Sequence, residues 1–376
     1  MASRDKRELE QIDAHEARRQ RKEKEKQFKK RVVLVLAVII VILALLIVLV
    51  LGLLLRARMR ADVYSAPVDT TAELSVEYVG EKTETAVRET VVEPTPEPEK
   101  PVPVITTAEM ESQYAYMVRP EDGKVVLDEG SEEQIYPASM TKMMTAILAI
   151  ENLDMTAQHH VMWDEVNNAW VNDATMAGFT DGETVTMEDL LYGCLLPSGA
   201  EASYGLASEV IEKLTGAVQW DYEAQFVDLM NQKAKELGMT GTHFSNCTGL
   251  QAEDHYTTCK DMAILLEYGL QNELFRKVIS AHTYTSTPTE FHEDGINMSS
   301  TMFASMGSSI LVNETSIMGG KTGFTNEAGH CLASYAMTED ETEYILVTSG
   351  AGIWGDPNDY GNIRDAKYIY GQLPLD

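Results

Sequence analysis

Cysteine is scarce in this 376-residue chain, which holds only Cys194, Cys247, Cys259 and Cys331 and no C-x-x-C pair. Four thiols are too few for a disulfide scaffold, and without C-x-x-C pairs the common cysteine zinc sites are excluded. The eight histidines include no H-E-x-x-H and no tight His/Asp cluster, so no metal and no cofactor is expected. His159 and His160 are adjacent, which makes their side chains diverge, and a surface location is expected for them. Cys247 and Cys259 flank a short loop, and both a pair of buried thiols and a bridge between them fit the sequence.

Basic residues are also few outside the N-terminus. The first 60 residues hold 15 of the 30 Lys and Arg but 7 of the 59 acidic residues, leaving residues 61–376 with 15 basic against 52 acidic side chains. A body that acidic repels phosphate backbones, and no basic patch with interleaved aromatics offsets the repulsion, so nucleic acid is excluded as a partner. No internal repeat is present, which removes solenoid architectures. Hydrophobic residues make up 44% of the chain, enough for the core of one large domain or two ordinary ones.

What the chain does have is one long apolar run. Val32 to Leu55 is 24 residues without a charge, long enough as a helix to cross the ~30 Å hydrocarbon layer of a membrane. It exceeds the apolar part of a signal peptide, and Arg56, Arg58 and Arg60 spoil a small-residue cleavage pattern. Twelve Lys and Arg precede it and three follow closely, so the N-terminus is expected in the cytoplasm, with the bulk of the chain outside a cell membrane crossed once. The chain then divides into a charged cytoplasmic tail (1–31), a transmembrane helix (32–55), a Pro/Glu/Thr-rich extracytoplasmic stalk (56–106) and a folded domain (107–376). The stalk ends in Glu93-Pro-Thr-Pro-Glu-Pro-Glu-Lys-Pro-Val-Pro103, a composition that stays extended.

Within the domain, Tyr114–Arg119 and Lys124–Leu127 read as a hairpin turning at Pro120-Glu-Asp-Gly123. Residues 140–150, 187–195, 200–214, 222–237 and 260–268 carry helical patterns, the second opened by a Thr186/Asp189 capping pair. Short strand patterns return at 321–325, 330–337 and 344–349, and 363–373 reads as a closing helix.

The helix after Pro137 is apolar nearly all round, with Met140, Met143, Met144, Ile147 and Leu148 on one face and Ala146 and Ala149 on another, and should be buried. Ser139 and Lys142 share one face of its first turn. A Ser cap with a Lys reaching to solvent is one reading of that pair. The other is a nucleophile and its base: burial beside a second cation would lower the lysine pKa, so that the neutral amine takes the Ser proton. S-x-x-K alone is weak, since Ser3-Arg-Asp-Lys6 matches it too. The context is stronger, because Tyr136-Pro-Ala-Ser139-Met-Thr-Lys142 is followed by Ser198-Gly199 and then by Lys321-Thr322-Gly323 on an expected strand.

S-x-x-K, a Ser-Gly turn and K-T-G, in that order, are signatures of penicillin-binding proteins and serine β-lactamases. Over roughly residues 107–372 the chain resembles the serine D-alanyl-D-alanine carboxypeptidases among low-molecular-mass penicillin-binding proteins. Further strings support the likeness, among them His243-Phe-Ser-Asn246 through Gly249-Leu250, and His255-Tyr-Thr-Thr258 leading to Asp261-Met-Ala263. None of these further strings is expected to perform chemistry. The resemblance implies an α/β domain of the α+β type, with an antiparallel sheet flanked by helices beside a helical lobe. It also implies removal of the terminal D-alanine from peptidoglycan stem peptides ending in D-Ala-D-Ala, and acylation by β-lactam antibiotics. Ser139 would be the acylated nucleophile, Lys142 its base and Ser198 a proton relay. Lys321 and Thr322 would hold the terminal carboxylate, Gly323 would permit close approach, and the N–H groups of Ser139 and Phe324 would form the oxyanion hole.

Two departures stand out. The second motif is normally Ser-x-Asn, and here Ala200 takes the place of the amide. The family often has an Arg three residues before the acidic residue of its closing helix, and here Asn362 stands before Asp365. Endopeptidase and transpeptidase chemistry would use the same groups, and Ala200 leaves room for a non-catalytic or very slow penicillin- or peptidoglycan-binding sensor on this fold. No Glu-x-x-Leu-Asn segment supplies the deacylating Glu of a β-lactamase.

Overall fold

The computed structural model describes residues 100–217, 221–307, 310–352 and 355–373. The expected cytoplasmic tail, the Val32–Leu55 run and residues 56–99 of the stalk lie outside them. Among the described residues no helix is long and apolar enough to cross a membrane. The strands are β1 (Tyr114–Arg119), β2 (Lys124–Glu129), β3 (Gln158–His160), β4 (Thr184–Thr186), β5 (Thr283–Thr285), β6 (Asn297–Ser299), β7 (Leu311–Val312), β8 (Thr315–Thr325), β9 (Gly329–Met337) and β10 (Glu343–Ala351). The helices are α1 (Lys142–Asn152), α2 (Trp163–Val171), α3 (Met187–Leu195), α4 (Ala200–Thr215), α5 (Tyr222–Glu236), α6 (Cys259–Leu270), α7 (Glu273–Ile279), α8 (Thr301–Met306) and α9 (Gly361–Tyr370).

The main sheet is antiparallel, in the order β2-β1-β10-β9-β8-β7. Its central strands are buried on both faces because successive side chains serve two cores. On β9, Cys331, Ala333 and Tyr335 join the larger core with α1 and α3 to α7, while Leu332 and Ala336 join a smaller core with α8 and α9. On β1, Tyr116 and Val118 go one way and Ala115 and Met117 the other. Such strands read as nearly unbroken apolar runs rather than as alternation. Residues 142–149 of α1 are all buried, as an all-round apolar helix requires. The expected α+β architecture is what forms, and Thr186 and Asp189 make the capping box, with the Asp189 N–H donating to the Thr186 hydroxyl at 3.0 Å.

Packing begins before residue 107. The Lys100 ammonium donates to the Thr342 hydroxyl at 2.6 Å, and the buried Arg119 guanidinium donates to the Lys100 and Pro101 carbonyls.

Several elements give no signal in the sequence pattern. Helices α7 and α8 are 7 and 6 residues long, and the two small antiparallel pairs β3-β4 and β5-β6 have strands of three residues, too short to show periodicity; α2, at 9 residues, has only two buried positions and so no apolar stripe. The expected surface location of His159 is corrected. As the central residue of β3 it points inward while Gln158 and His160 point out, and its Nδ1 and Nε2 lie 2.7 and 2.9 Å from Glu209 and Glu165. Burial by itself would lower the pKa of His159, but the hydrogen bonds to the two carboxylates outweigh it and raise it to about 9. All four cysteines are buried free thiols.

Candidate active site

Ala138–Thr141 forms a 3₁₀ turn that leads into α1. Ser139 sits in this turn and caps no helix, and Lys142 opens α1 almost wholly buried, so the reading as a surface cap and a solvent-seeking lysine does not describe the pair. The Lys142 Nζ donates to Ser139 Oγ at 3.1 Å and to the Thr248 carbonyl at 2.6 Å. Burial lowers its pKa to about 8, against the pull of Cys194, Cys247 and Glu201 toward the charged form.

The Thr248 carbonyl belongs to a turn that the sequence flagged without assigning it a task. Asn246 Oδ1 accepts from the N–H groups of Thr248, Gly249 and Leu250 at 3.2, 2.7 and 3.1 Å and folds the turn on itself. Gly249 is in the left-handed region at φ +87°, and a Cβ there would overlap the Ala138 carbonyl, so the turn lies directly against the backbone that precedes Ser139.

Ser198 and Lys321 form the second half of the site. The Lys321 Nζ donates to Ser198 Oγ and to the Thr322 carbonyl, both at 2.9 Å. Lys321 is completely buried, and burial first and then the Lys142 charge bring its pKa down to about 7. The expected Ser198 therefore enters the site on Lys321. The Thr322 hydroxyl lies 2.6 Å from that of Thr301, a residue the sequence reading missed because α8 is too short to recognise. Gly323 is where β8 crosses the Ser139 turn, and a Cβ there would stand 3.0 Å from the Pro137 carbonyl oxygen and 3.1 Å from the Ser139 nitrogen. Among the described residues six non-glycine residues have positive φ, and two of them are Ala138 (45°) and Ser198 (69°), so backbone strain is stored at Ser198 and next to Ser139.

Ser139, Ser198, Thr322, Gly323 and Phe324 line one cleft of about 320 Å³. β7 pairs with β8 only at Thr315 and Ser316, so from Met318 to Thr325 the outer edge of β8 faces no strand among the described residues. The far wall carries His330, whose ring centroid is 4.5 Å from that of Phe324 and 5.7 Å from that of Tyr360. His330 therefore faces the cleft, and burial lowers its pKa. Asn362 also lines the cleft and donates through Nδ2 to the Cys331 carbonyl at 2.8 Å, whereas Arg364 turns outward to pair with Glu111 and Asp359.

Ala200, in place of the expected amide, opens α4 with its N–H on the Thr175 carbonyl at 2.8 Å and presents no polar side chain. Its neighbour Glu201 is buried. One Glu201 oxygen accepts the N–H groups of Ala177, Gly178 and Phe179 at 2.6, 2.8 and 3.3 Å, which ties the 175–179 wall to the start of α4. Among the described residues no group of three or more His, Cys, Asp and Glu is placed to hold a metal ion.

Residues 100–352 match the model of the D-alanyl-D-alanine carboxypeptidase peptidase family. A D-alanyl-D-alanine carboxypeptidase of Bacillus subtilis is 34% identical over 245 residues, 64% of this chain and 58% of that protein, so the chain spans a little over half of that relative. One from Streptomyces sp. strain K15 is 27% identical over 255 residues, 67% of this chain and 86% of that protein. In fold, the crystal structure of the Streptomyces K15 DD-transpeptidase superposes with a TM-score of 0.62 at 24% identity, covering 72% of this chain and 100% of that one. With the family model matched across the sheet, the Ser139 turn and the Lys321 strand, the chain belongs to the D-alanyl-D-alanine carboxypeptidase family.

Proposed function

We propose that this chain is a membrane-anchored serine D-Ala-D-Ala carboxypeptidase that releases the terminal D-alanine of peptidoglycan stem peptides through an acyl-enzyme on Ser139, and that penicillins acylate the same oxygen. The observation that carries the reading is the buried Lys142 amine 3.1 Å from Ser139 Oγ, beside an open strand edge. A neutral Lys142 takes the Ser139 proton as Oγ attacks the penultimate D-alanine carbonyl carbon. The substrate backbone lies along the β8 edge, and the oxyanion meets the N–H groups of Ser139 and Phe324. Ser198 Oγ accepts from Lys321, so its own proton is free to pass to the departing amine as the peptide C–N bond breaks, and the proton that Lys142 took from Ser139 then passes to Ser198. The neutral Lys142 deprotonates the water that hydrolyses the ester and hands that proton to Ser139 Oγ as it leaves. Lys321 is buried and engaged by Ser198 and the Thr322 carbonyl, so the hydroxyls of Thr322 and Thr301 are the first partners that the terminal carboxylate meets. The Val32–Leu55 run would anchor this domain outside the cell membrane, with the N-terminus in the cytoplasm.

The test uses the full chain in detergent, a fluorescent penicillin and a peptide ending in Lys-D-Ala-D-Ala. Covalent labelling together with D-alanine release is the expected result. Labelling without release would favour the sensor reading, which the missing amide at Ala200 supports. An unlabelled, folded protein would sink both.

The two lysines also set a pH dependence. Each is fully buried, and their charges repel, so they titrate as a pair. The labelling rate should climb from pH 6 and level off above about 8, as Lys142 loses its proton. Lys321→Met should leave that midpoint in place, because Lys321, at about 7, is already neutral where Lys142 loses its proton at about 8. A midpoint that moved with Lys321 would detach Lys142 from the role of base. The same lowered values make the folded state gain stability as pH rises from about 7 toward the ordinary lysine value of 10.5, because the unfolded chain binds more protons in that window.

A further inference from the structure

His255 belongs to the His255-Tyr-Thr-Thr258 string, which the chemistry described so far leaves without a task. It is 2% exposed and does not line the cleft. Its Nδ1 accepts the Ser245 N–H at 2.9 Å, which fixes the tautomer: the ring proton is on Nε2, and Nε2 donates to the Thr141 hydroxyl at 2.8 Å. Burial lowers its pKa to about 4, the nearby Asp254 opposing and His243 and Lys142 reinforcing the shift, so the ring is neutral across the physiological range.

The two partners of this ring are the two backbone pieces that hold the reacting pair. Thr141 is the completely buried last residue of the 3₁₀ turn that carries Ser139, and its neighbour is Lys142. Ser245 begins the turn whose Thr248 carbonyl holds the Lys142 ammonium and whose Gly249 abuts Ala138. One further bond ties these pieces together nearby, from the Thr145 hydroxyl to the Cys247 carbonyl at 2.7 Å, and it lies one helical turn further from Ser139. The geometry points to His255 as a positioning residue for acylation: through Thr141 it fixes the Ser139 turn against the 245–250 turn, and so keeps Ser139 Oγ on the Lys142 amine. This rests on the proposal that Ser139 is the nucleophile and Lys142 its base. It adds a role for a residue that touches neither substrate nor reacting atoms.

Two near-isosteres separate the halves of the ring. His255→Gln places an amide donor where Nε2 stood and keeps the bond to Thr141 while losing the acceptor for Ser245. His255→Asn places an acceptor where Nδ1 stood and keeps Ser245 while falling short of Thr141. For the full chain in detergent, penicillin labelling would be resolved into initial binding and the covalent step, with thermal midpoints measured alongside. The expected result is a covalent step within about threefold of the original in His255→Gln and reduced on the order of 100-fold in His255→Asn, the scale of a misplaced reacting group. Initial binding should be unchanged in both, and both midpoints should fall by similar amounts. Equal covalent rates in the two variants, or rates that merely follow the loss of thermal stability, would overturn the inference and leave His255 a packing residue. Failure of the unsubstituted chain to label would instead remove the proposal on which it rests, and this inference with it.

Discussion

A chain carrying Ser139→Ala is expected to take up no penicillin label and to release no D-alanine, a loss on the order of 10⁵-fold or more in turnover. Among the described residues the Lys142 Nζ donates only to Ser139 Oγ and the Thr248 carbonyl, while Ser198 is bonded by the Lys321 amine. Ser198 is therefore not served by Lys142, and only Lys321 could activate it. Lys142→Met should cost nearly as much, and the double variant no more than either single one, because a nucleophile and its base act as one unit. Stability separates this from damage to the fold. Removing a buried ammonium and leaving an apolar side chain of similar length should hold or raise the thermal midpoint while activity vanishes. Residual labelling of Ser139→Ala would move the nucleophile to Ser198 and reverse the assignment.

Gly249→Ala should damage the site from outside the reacting groups. Alanine at φ +87° costs ~1–2 kcal/mol on its own, and its Cβ would overlap backbone atoms of Ala138, neither of which is a flexible side-chain end that could yield. The turn and the Ser139 backbone must separate, carrying the Thr248 carbonyl away from Lys142. We expect a destabilisation of ~3 kcal/mol or more and a loss of at least ~100-fold in labelling rate. Gly216→Ala and Gly238→Ala are the controls. Both positions have positive φ, 82° and 78°, yet a Cβ at either meets nothing within 4 Å, so each should cost ~1 kcal/mol and leave labelling intact. A Gly249→Ala chain as active as these controls would show that the contact with Ala138 does not set the geometry of Ser139.

The parts of this molecule that could be read from sequence are those with a long period or a rare combination of residues. β1 is found at its expected bounds, and α3 likewise, because a hairpin turn and a capping box each mark their ends. Ser139, Lys142, Ser198 and Lys321 come together as the motif order implies. What was not legible depends on contact across the chain. Thr301 matters through a hydroxyl that meets Thr322, 21 residues on, and His159 is inside because two glutamates from separate helices converge on it. Thr248 contributes a backbone carbonyl, which any residue could supply, so its identity carries no signal.

The sheet joins the two ends of the domain. β1 pairs with β10, Tyr114 opposite Ser349, and nearly every helix lies in the chain between them. During synthesis the β1–β2 hairpin emerges first and must wait for residues 343–351 before its inner edge is covered, so for most of translation it is a bare edge open to pairing with other chains. Ser139, Lys142 and Ser198 are made early as well, but the Lys321 strand that completes their surroundings comes late. An unfinished chain therefore lacks the second half of the site, which is complete only once the last strands have left the ribosome and folded back onto the first.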